Sequence, residues 1–435
     1  GATGDTIALA SGASQTGFGR TGTVDWITTP KVTGDSPITA VTGKGYFLNT
    51  TAGTITLNLP AGVAGSIVSM ADYAATWNTN NVTVASNGSE KIGGDTNDAI
   101  LNTKGQSVTL VYVDSTQGWI NTMDSTSNVR GQPLFVTATG GNQSPADGLV
   151  CGNYKTHIFT GPGTFCVSAI SGVGNPNVAD YFVAGGGGGG GAIISGGGGA
   201  GGFRMSNEHA VPAPTTSPLS NPTGITLTAS PYAITVGGGG PTSANGSLST
   251  FDSITSAGGG TSNTGGSACT TGNSGASGGG GSWRDSGGTS GGGAGNTPPV
   301  SPSQGSPGGT SSGNNTTGGG GGASASGGSS PGNSVSGPGG AGSYISDSMI
   351  GPTAPSYGTP GPTGSARYFS GGGGGSARDG SSGGSAGTGG GGVGGYYTAS
   401  GSGSGVINTG GGGGGVGGGG GLGGSGIVVI RYKFQ

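Results

Sequence analysis

Val178-Ala179-Asp180-Tyr181-Phe182-Val183-Ala184 runs without interruption into Gly185-Gly186-Gly187-Gly188-Gly189-Gly190-Gly191. The first seven residues read as a buried β-strand, rich in aromatic and β-branched side chains. The next seven carry no side chain at all. A flexible linker has no reason to follow a core strand so directly. The pairing therefore raises one question for the whole chain, which is what ordered form a run of glycine can take.

The same motif recurs to the C-terminus. Pure runs stand at 196–199, 237–240, 278–281, 318–322, 371–375, 389–392, 410–415 and 417–421. Short apolar strands separate them, among them Tyr232–Val236, Phe251–Ile254 and a closing Gly426–Phe434. Glycine loses more backbone entropy on ordering than any other residue, so something must offset that loss. No strict Gly-X-Y period is present, which excludes collagen. The remaining ordered form is a bundle of polyglycine II helices, extended and left-handed with three residues per turn and a rise of ~3.1 Å. Their N–H and C=O groups point outward, and the absence of Cβ lets neighbours approach on every side.

Of the 114 glycines, 21 fall in residues 1–150 and the remaining 93 (114 − 21) in 151–435. The chain is expected to be all-β in two parts. Residues 1–130 form a small β-sandwich or prism, with short strands at Tyr46–Leu48, Thr54–Leu59, Ile67–Met70, Asn81–Val84 and Ser107–Val113, and a last strand opening at Trp119. Asn87-Gly88 marks a hairpin turn. Residues 131–150, polar and containing Gly140-Gly141 and Pro145, read as a linker. Residues 151–435 carry a β-sheet region and the glycine bundle.

Composition removes several functions. Charged residues make up 7% and net charge is −3, so there is no basic excess for nucleic acid. No run of about 20 apolar residues is present for membrane insertion. His157 and His209 are the only histidines, too few for a histidine metal cluster. Cys151, Cys166 and Cys269 are an odd set, read as free buried thiols rather than a disulfide framework, although the first two are near enough in sequence to pair. Six carboxylates lie beyond residue 150, and nothing marks any two as the close pair a glycosidase needs. Gly-x-Gly-x-x-Gly strings are accidents of composition, since no βαβ unit holds them. Neither an enzyme nor a cofactor is expected.

The ordered series His157–Val167, Val178–Gly191, Gly201–Arg204, Tyr232–Gly240, Ser249–Ile254 and Gly423–Phe434 resembles the glycine-rich host-recognition domain of bacteriophage tail fibres and tail-tip adhesins. Residues 41–122 look like a β-rich module of marine and cyanobacterial phage fibres, through Gly45–Asn49, Leu57–Ala61, Ala71-Asp72-Tyr73, Glu90-Lys91-Ile92 and Gly118-Trp119-Ile120. The resemblance implies a place on the virion beside other tail proteins. It also implies a homotrimer, and non-catalytic binding to a host-surface polysaccharide or outer-membrane protein. A purely structural virion or filament protein is the alternative.

A bundle without side chains can recognise a ligand only through the loops that join its helices. The candidates there are Trp283 with Arg284 and Asp285, Tyr344, Tyr357, Tyr368 with Phe369, Arg378 with Asp379, and Tyr396 with Tyr397. Each could instead cover the flank of the lattice. Phe159, Phe165, Tyr181, Phe182, Phe251 and Tyr432 alternate within strands and are expected in the core.

Overall fold

The computed structural model describes residues 24–125, 135–172, 176–211, 216–266, 271–283, 288–312, 315–332, 334–378, 381–397, 403–416 and 419–435. The chain divides into two compact units, with the boundary after Gly131. Among the described residues the only α-helix is one turn long, and no helix is long and apolar enough to cross a membrane.

Among the described residues the first unit holds nine strands: β1 (Asp25–Val32), β2 (Ile38–Thr39), β3 (Lys44–Asn49), β4 (Ile55–Asn58), β5 (Ile67–Asp72), β6 (Val82–Ala85), β7 (Ala99–Leu101), β8 (Ser107–Asp114) and β9 (Gly118–Ser125). They make two sheets, ordered β1-β3-β5-β8-β9 and β2-β4-β6-β7. This is the sandwich of the two expected forms. Leu48, Ile55, Leu57, Val68, Met70, Trp77, Val82, Val84 and Trp119 are buried between the sheets. The connectivity is less ordinary than the strand positions. From β1 to β6 the chain alternates between sheets, so β1, β3 and β5 pair in parallel, as do β2, β4 and β6. Only the last strands of each sheet pair antiparallel. The Asn87-Gly88 turn is present, with Glu90 N bonded to Asn87 O at 3.1 Å. It sits within a long connection between β6 and β7 rather than closing a tight hairpin.

The second unit begins earlier than expected. Residues 131–150 are not a bare linker: β10 (Thr137–Thr139) and β11 (Leu149–Cys151) both lie in sheets. The signal is short, because Val136 and Ala138 are the apolar pair that anchors β10 in the core. The following strands are β12 (Tyr154–Phe159), β13 (Gly163–Ala169), β14 (Val178–Ala184), β15 (Phe203–Ser206), β16 (Ser220–Asn221), β17 (Ile225–Thr226), β18 (Pro231–Thr235), β19 (Ser249–Phe251) and β20 (Ile254–Ser256). After them come β21 (Thr289–Ser290), β22 (Ser311–Ser312), β23 (Ser343–Ser346), helix α1 (Asp347–Ile350), β24 (Ala366–Phe369) and β25 (Ile427–Lys433).

The sheet β10-β13-β18-β19-β20 packs on the sheet β11-β12-β25-β14-β15-β16. Phe159, Phe165, Tyr181, Phe251, Val428, Ile430 and Tyr432 fill the space between them. Phe182 points to the other face of β14, among Phe203, Phe369, Met349 and Ile350. Strand β25 lies between β12 and β14, so the C-terminal segment completes the sheet rather than trailing from it. Both described cysteines are free, but Cys166 is exposed rather than buried, on the outward side of alternating β13.

Two polar features brace this sheet. Asp180 and Arg431 are buried 3.7 Å apart, and the Asp180 carboxylate also accepts hydrogen bonds from Ser206 Oγ, Glu208 N and His209 N. Arg431 stacks 3.7 Å from the Tyr154 ring centroid. His157 is buried beside Tyr432, 3.2 Å from its hydroxyl, and its Nδ1 lies 2.7 Å from Gly140 O. Burial pushes the His157 pKa below the ordinary histidine value.

The glycine runs leave this sheet directly. Gly185 N donates to Gly202 O and Gly188 N to Gly199 O; Gly186 N to Ser247 O and Gly189 N to Ala244 O; Gly187 N to Gly424 O and Gly190 N to Gly421 O. Each third residue thus addresses the same neighbour, and successive residues address different ones. An extended helix of three residues per turn has that period. Run 196–202 is enclosed in the same way by residues 185–188, 258–260, 277–280, 318–321, 371–373 and 410–413. Added Cβ atoms at Gly187 and Gly373 would each stand about 2 Å from a neighbouring carbonyl oxygen, Gly411 O at 2.0 Å and Gly413 O at 2.1 Å. Such positions are therefore glycine because the backbones touch.

Candidate functional site

Run 185–191 starts at the end of β14 and extends roughly 20 Å, from the ~3.1 Å rise per residue. At its far end the chain reverses through Ala192–Ser195 into run 196–202. Ile193 and Ile194 make this turn at φ of 58° and 44°. A β-branched residue in the left-handed region is an outlier that costs about 1–3 kcal/mol. Strain of this size persists only where the surroundings hold it.

Hydroxyl side chains hold it here. Ser195 O accepts from Ser376 N at 3.0 Å, Ser376 Oγ at 2.9 Å and Thr317 Oγ1 at 3.0 Å. Ser376 O accepts from Thr317 Oγ1 at 2.9 Å and Ser336 Oγ at 2.6 Å. These four residues are buried. They close the ends of several runs at once and give the loops beyond them a fixed base.

Four of the sequence candidates meet on that base. Trp283 is half-buried and its backbone N–H donates to Ile194 O at 3.2 Å. The Arg378 guanidinium lies 5.8 Å from the Trp283 ring centroid, within cation–π range. Arg378 N is tied to Asn315 O at 2.9 Å, and Ala377 N to Gly395 O at 3.0 Å. Tyr397 N donates to Ala377 O at 3.0 Å. Tyr396 and Tyr397 are 45% and 44% exposed. Backbone pairing thus sets Tyr396 and Tyr397 beside Ala377, next to Arg378, whose guanidinium faces the Trp283 ring.

The other described candidates lie elsewhere. Tyr344 on β23 packs against Tyr368 on β24, ring centroids 5.3 Å apart, and its hydroxyl donates to Thr216 O at 3.3 Å. Tyr368 is buried, with its hydroxyl 2.9 Å from Thr363 Oγ1. Tyr357 packs on the same core, and its carbonyl accepts from Arg367 Nε at 2.7 Å. Phe369 is 0% exposed and lies 4.8 Å from Phe182. It offers no surface to a ligand. Tyr344, Tyr357 and Tyr368 read together as a cover over the outer face of the sheet, and Phe369 belongs to the core beneath it. Arg284, Asp285 and Asp379 lie outside the described residues. Among the described residues, no group of His, Cys, Asp and Glu could hold a metal ion.

Ser195, Thr317 and Ser376 were not singled out from the sequence. Their signal is positional: each directly borders a pure glycine run, where the Thr317 and Ser376 hydroxyls satisfy the flanking carbonyls of Ser195 and Ser376. The Ile193-Ile194 turn has no comparable signal, because its backbone angles come from the lattice on either side.

Residues 159–433, more than half of the chain, match the family model of the glycine-rich domain. The chain belongs to the glycine-rich domain family. The match takes in the sheets from β13 onward, the glycine lattice and the loop surface at its far end. The chain is also similar to baseplate wedge protein gp10 of Enterobacteria phage T4, at 35% identity over 78 residues. That likeness covers 17% of this chain and 13% of the phage protein, so the chain spans a small part of that relative's length.

Proposed function

We propose that this glycine-rich domain protein is a phage tail protein. In this reading its lattice is a polyglycine II bundle, whose far end binds a receptor on the host cell surface without catalysis. The surface of Trp283, Arg378, Tyr396 and Tyr397 carries the reading. Exposed aromatics and an arginine are anchors of the kind that dominate binding surfaces. Here they stand on strained, hydroxyl-braced loops at the end of a rigid spacer. The likeness to a phage baseplate protein supports a virion location, and the three-residue hydrogen-bond period supports the helix type. The ligand in this reading is a surface glycan or an outer-membrane protein. Trimerisation and contact with other tail proteins belong to the same proposal.

The test is competition on candidate host cells. Full-length protein is expected to bind cells and to block adsorption of the source phage in a dose-dependent way. Tyr396→Ala with Tyr397→Ala is expected to abolish blocking while melting behaviour stays unchanged. Folded protein that neither binds nor blocks would contradict receptor binding. It would favour the structural virion role to which the baseplate likeness also lends support.

A further inference from the structure

The runs at the border of the lattice differ from those inside it, because side chains stand at exposed positions along them. In run 390–395 the exposed position is Val393, 49% accessible, between Gly392 and Gly394. In run 403–406 Val406 is exposed together with Ser404, and in run 419–425 Leu422 is exposed at 53%, three residues after exposed Gly419. These three runs are neighbours on one flank: Gly403 N donates to Val393 O, Val406 N to Gly390 O and Gly405 N to Leu422 O. Enclosed runs such as 185–191 keep glycine at every position.

A lattice held by backbone contacts has no natural end. Any border run of glycine would offer another chain the approach that interior runs offer one another. The interior shows what prevents this. A single Cβ on an enclosed glycine would stand about 2 Å from the next run, as at Gly187. A valine or leucine facing solvent from a border run therefore excludes a further run from that face. Sheet edges are guarded in the same sense by residues that block pairing with another strand.

We propose that Val393, Val406 and Leu422 are lattice stops: they keep this flank from docking onto the glycine runs of a second copy of this chain. Their role is to exclude that partner, although they are exposed apolar groups of a kind ordinarily read as adhesive. Gly238, exposed on border run 237–240 with nothing near its Cβ position, is a solvent-facing position without such a stop.

The two readings predict opposite signs. The experiment is sedimentation velocity over a range of concentrations. It compares the intact protein with Val393→Gly/Val406→Gly/Leu422→Gly and with Val393→Lys/Leu422→Lys. Lattice stops predict that the glycine variant forms larger, concentration-dependent species. They also predict that the lysine variant keeps the assembly state of the intact protein, since lysine still blocks approach. If the glycine variant associates no more than the intact protein, the proposal fails. If the lysine variant dissociates an oligomer that the intact protein forms, the three residues are an adhesive interface and the proposal is overturned. The lysine arm retains a side chain at each position, so it remains readable if the glycine variant does not fold.

Discussion

At the centre of residues 24–125 stand Trp77, Trp119, Leu48 and Met70, side chains packed between two sheets. At the centre of the glycine lattice, Gly198 N donates to Gly413 O and Gly199 N to Gly260 O, and no side chain intervenes. The first unit gains stability chiefly by removing apolar surface from water. The lattice gains it from hydrogen bonds worth about 1 kcal/mol each and from close backbone contact, set against the ordering entropy of glycine. The two also fail differently. A side-chain core tolerates a change of shape if volume is kept, whereas a lattice cannot tolerate a single added carbon where backbones touch.

The sharpest break in that comparison is Gly187→Val. Its Cβ would meet the Gly411 carbonyl, with no flexible side chain to move aside. The expected loss exceeds the ~3 kcal/mol of ordinary overpacking, seen as loss of the cooperative thermal transition of the second unit. Retained melting would mean that the runs are not packed. Trp77→Ala in the first unit is expected to cost about 3–5 kcal/mol by the cavity it leaves, measured by chemical denaturation. Asp180→Asn leaves Arg431 buried without its counter-ion, and about 3 kcal/mol should be lost. A smaller loss would show that the hydrogen bonds to Asp180, rather than the charge pair, hold that sheet.

His157 gives a smaller, pH-dependent effect. Its folded-state pKa lies below the unfolded value, so the unfolded chain takes up the proton first as pH falls. The stability contribution is present above the unfolded pKa of about 6.5. It declines below that pH and is lost as pH falls through the folded value. Melting temperature should therefore drop on acidification below about pH 6.5, and His157→Gln should flatten that part of the profile. The smallest effect belongs to Gly238→Ala, at an exposed position with open space around it. A change within about 1 kcal/mol is expected, of either sign. A large loss there would mean that border runs are as closely packed as enclosed ones.

Strand positions were legible because β propensity and alternation are local: Ser107–Val113 falls within β8 and Phe165, Tyr181 and Tyr432 within the core. The parallel winding of β1 to β6 was not, since pairing direction is set by the path between strands and leaves no mark on their composition. β10 was missed because three residues carry too little pattern beside Gly140-Gly141. At the candidate site, Tyr396 and Tyr397 were found as aromatics interrupting glycine. Phe369 interrupts glycine in the same way just before Gly371, yet it faces the core. Only the register of β24 against β23 separates the two cases.

Amide hydrogen exchange of Gly186–Gly190 bears most directly on the lattice itself. Each of these amides donates to a carbonyl of a neighbouring run at 2.8–2.9 Å. If backbone contacts hold the runs together, these amides will exchange as slowly as those of Tyr181–Val183 in β14. Exchange at the rate of an unstructured glycine peptide, alongside a protected β14, would contradict the account and leave the runs as linkers between strands.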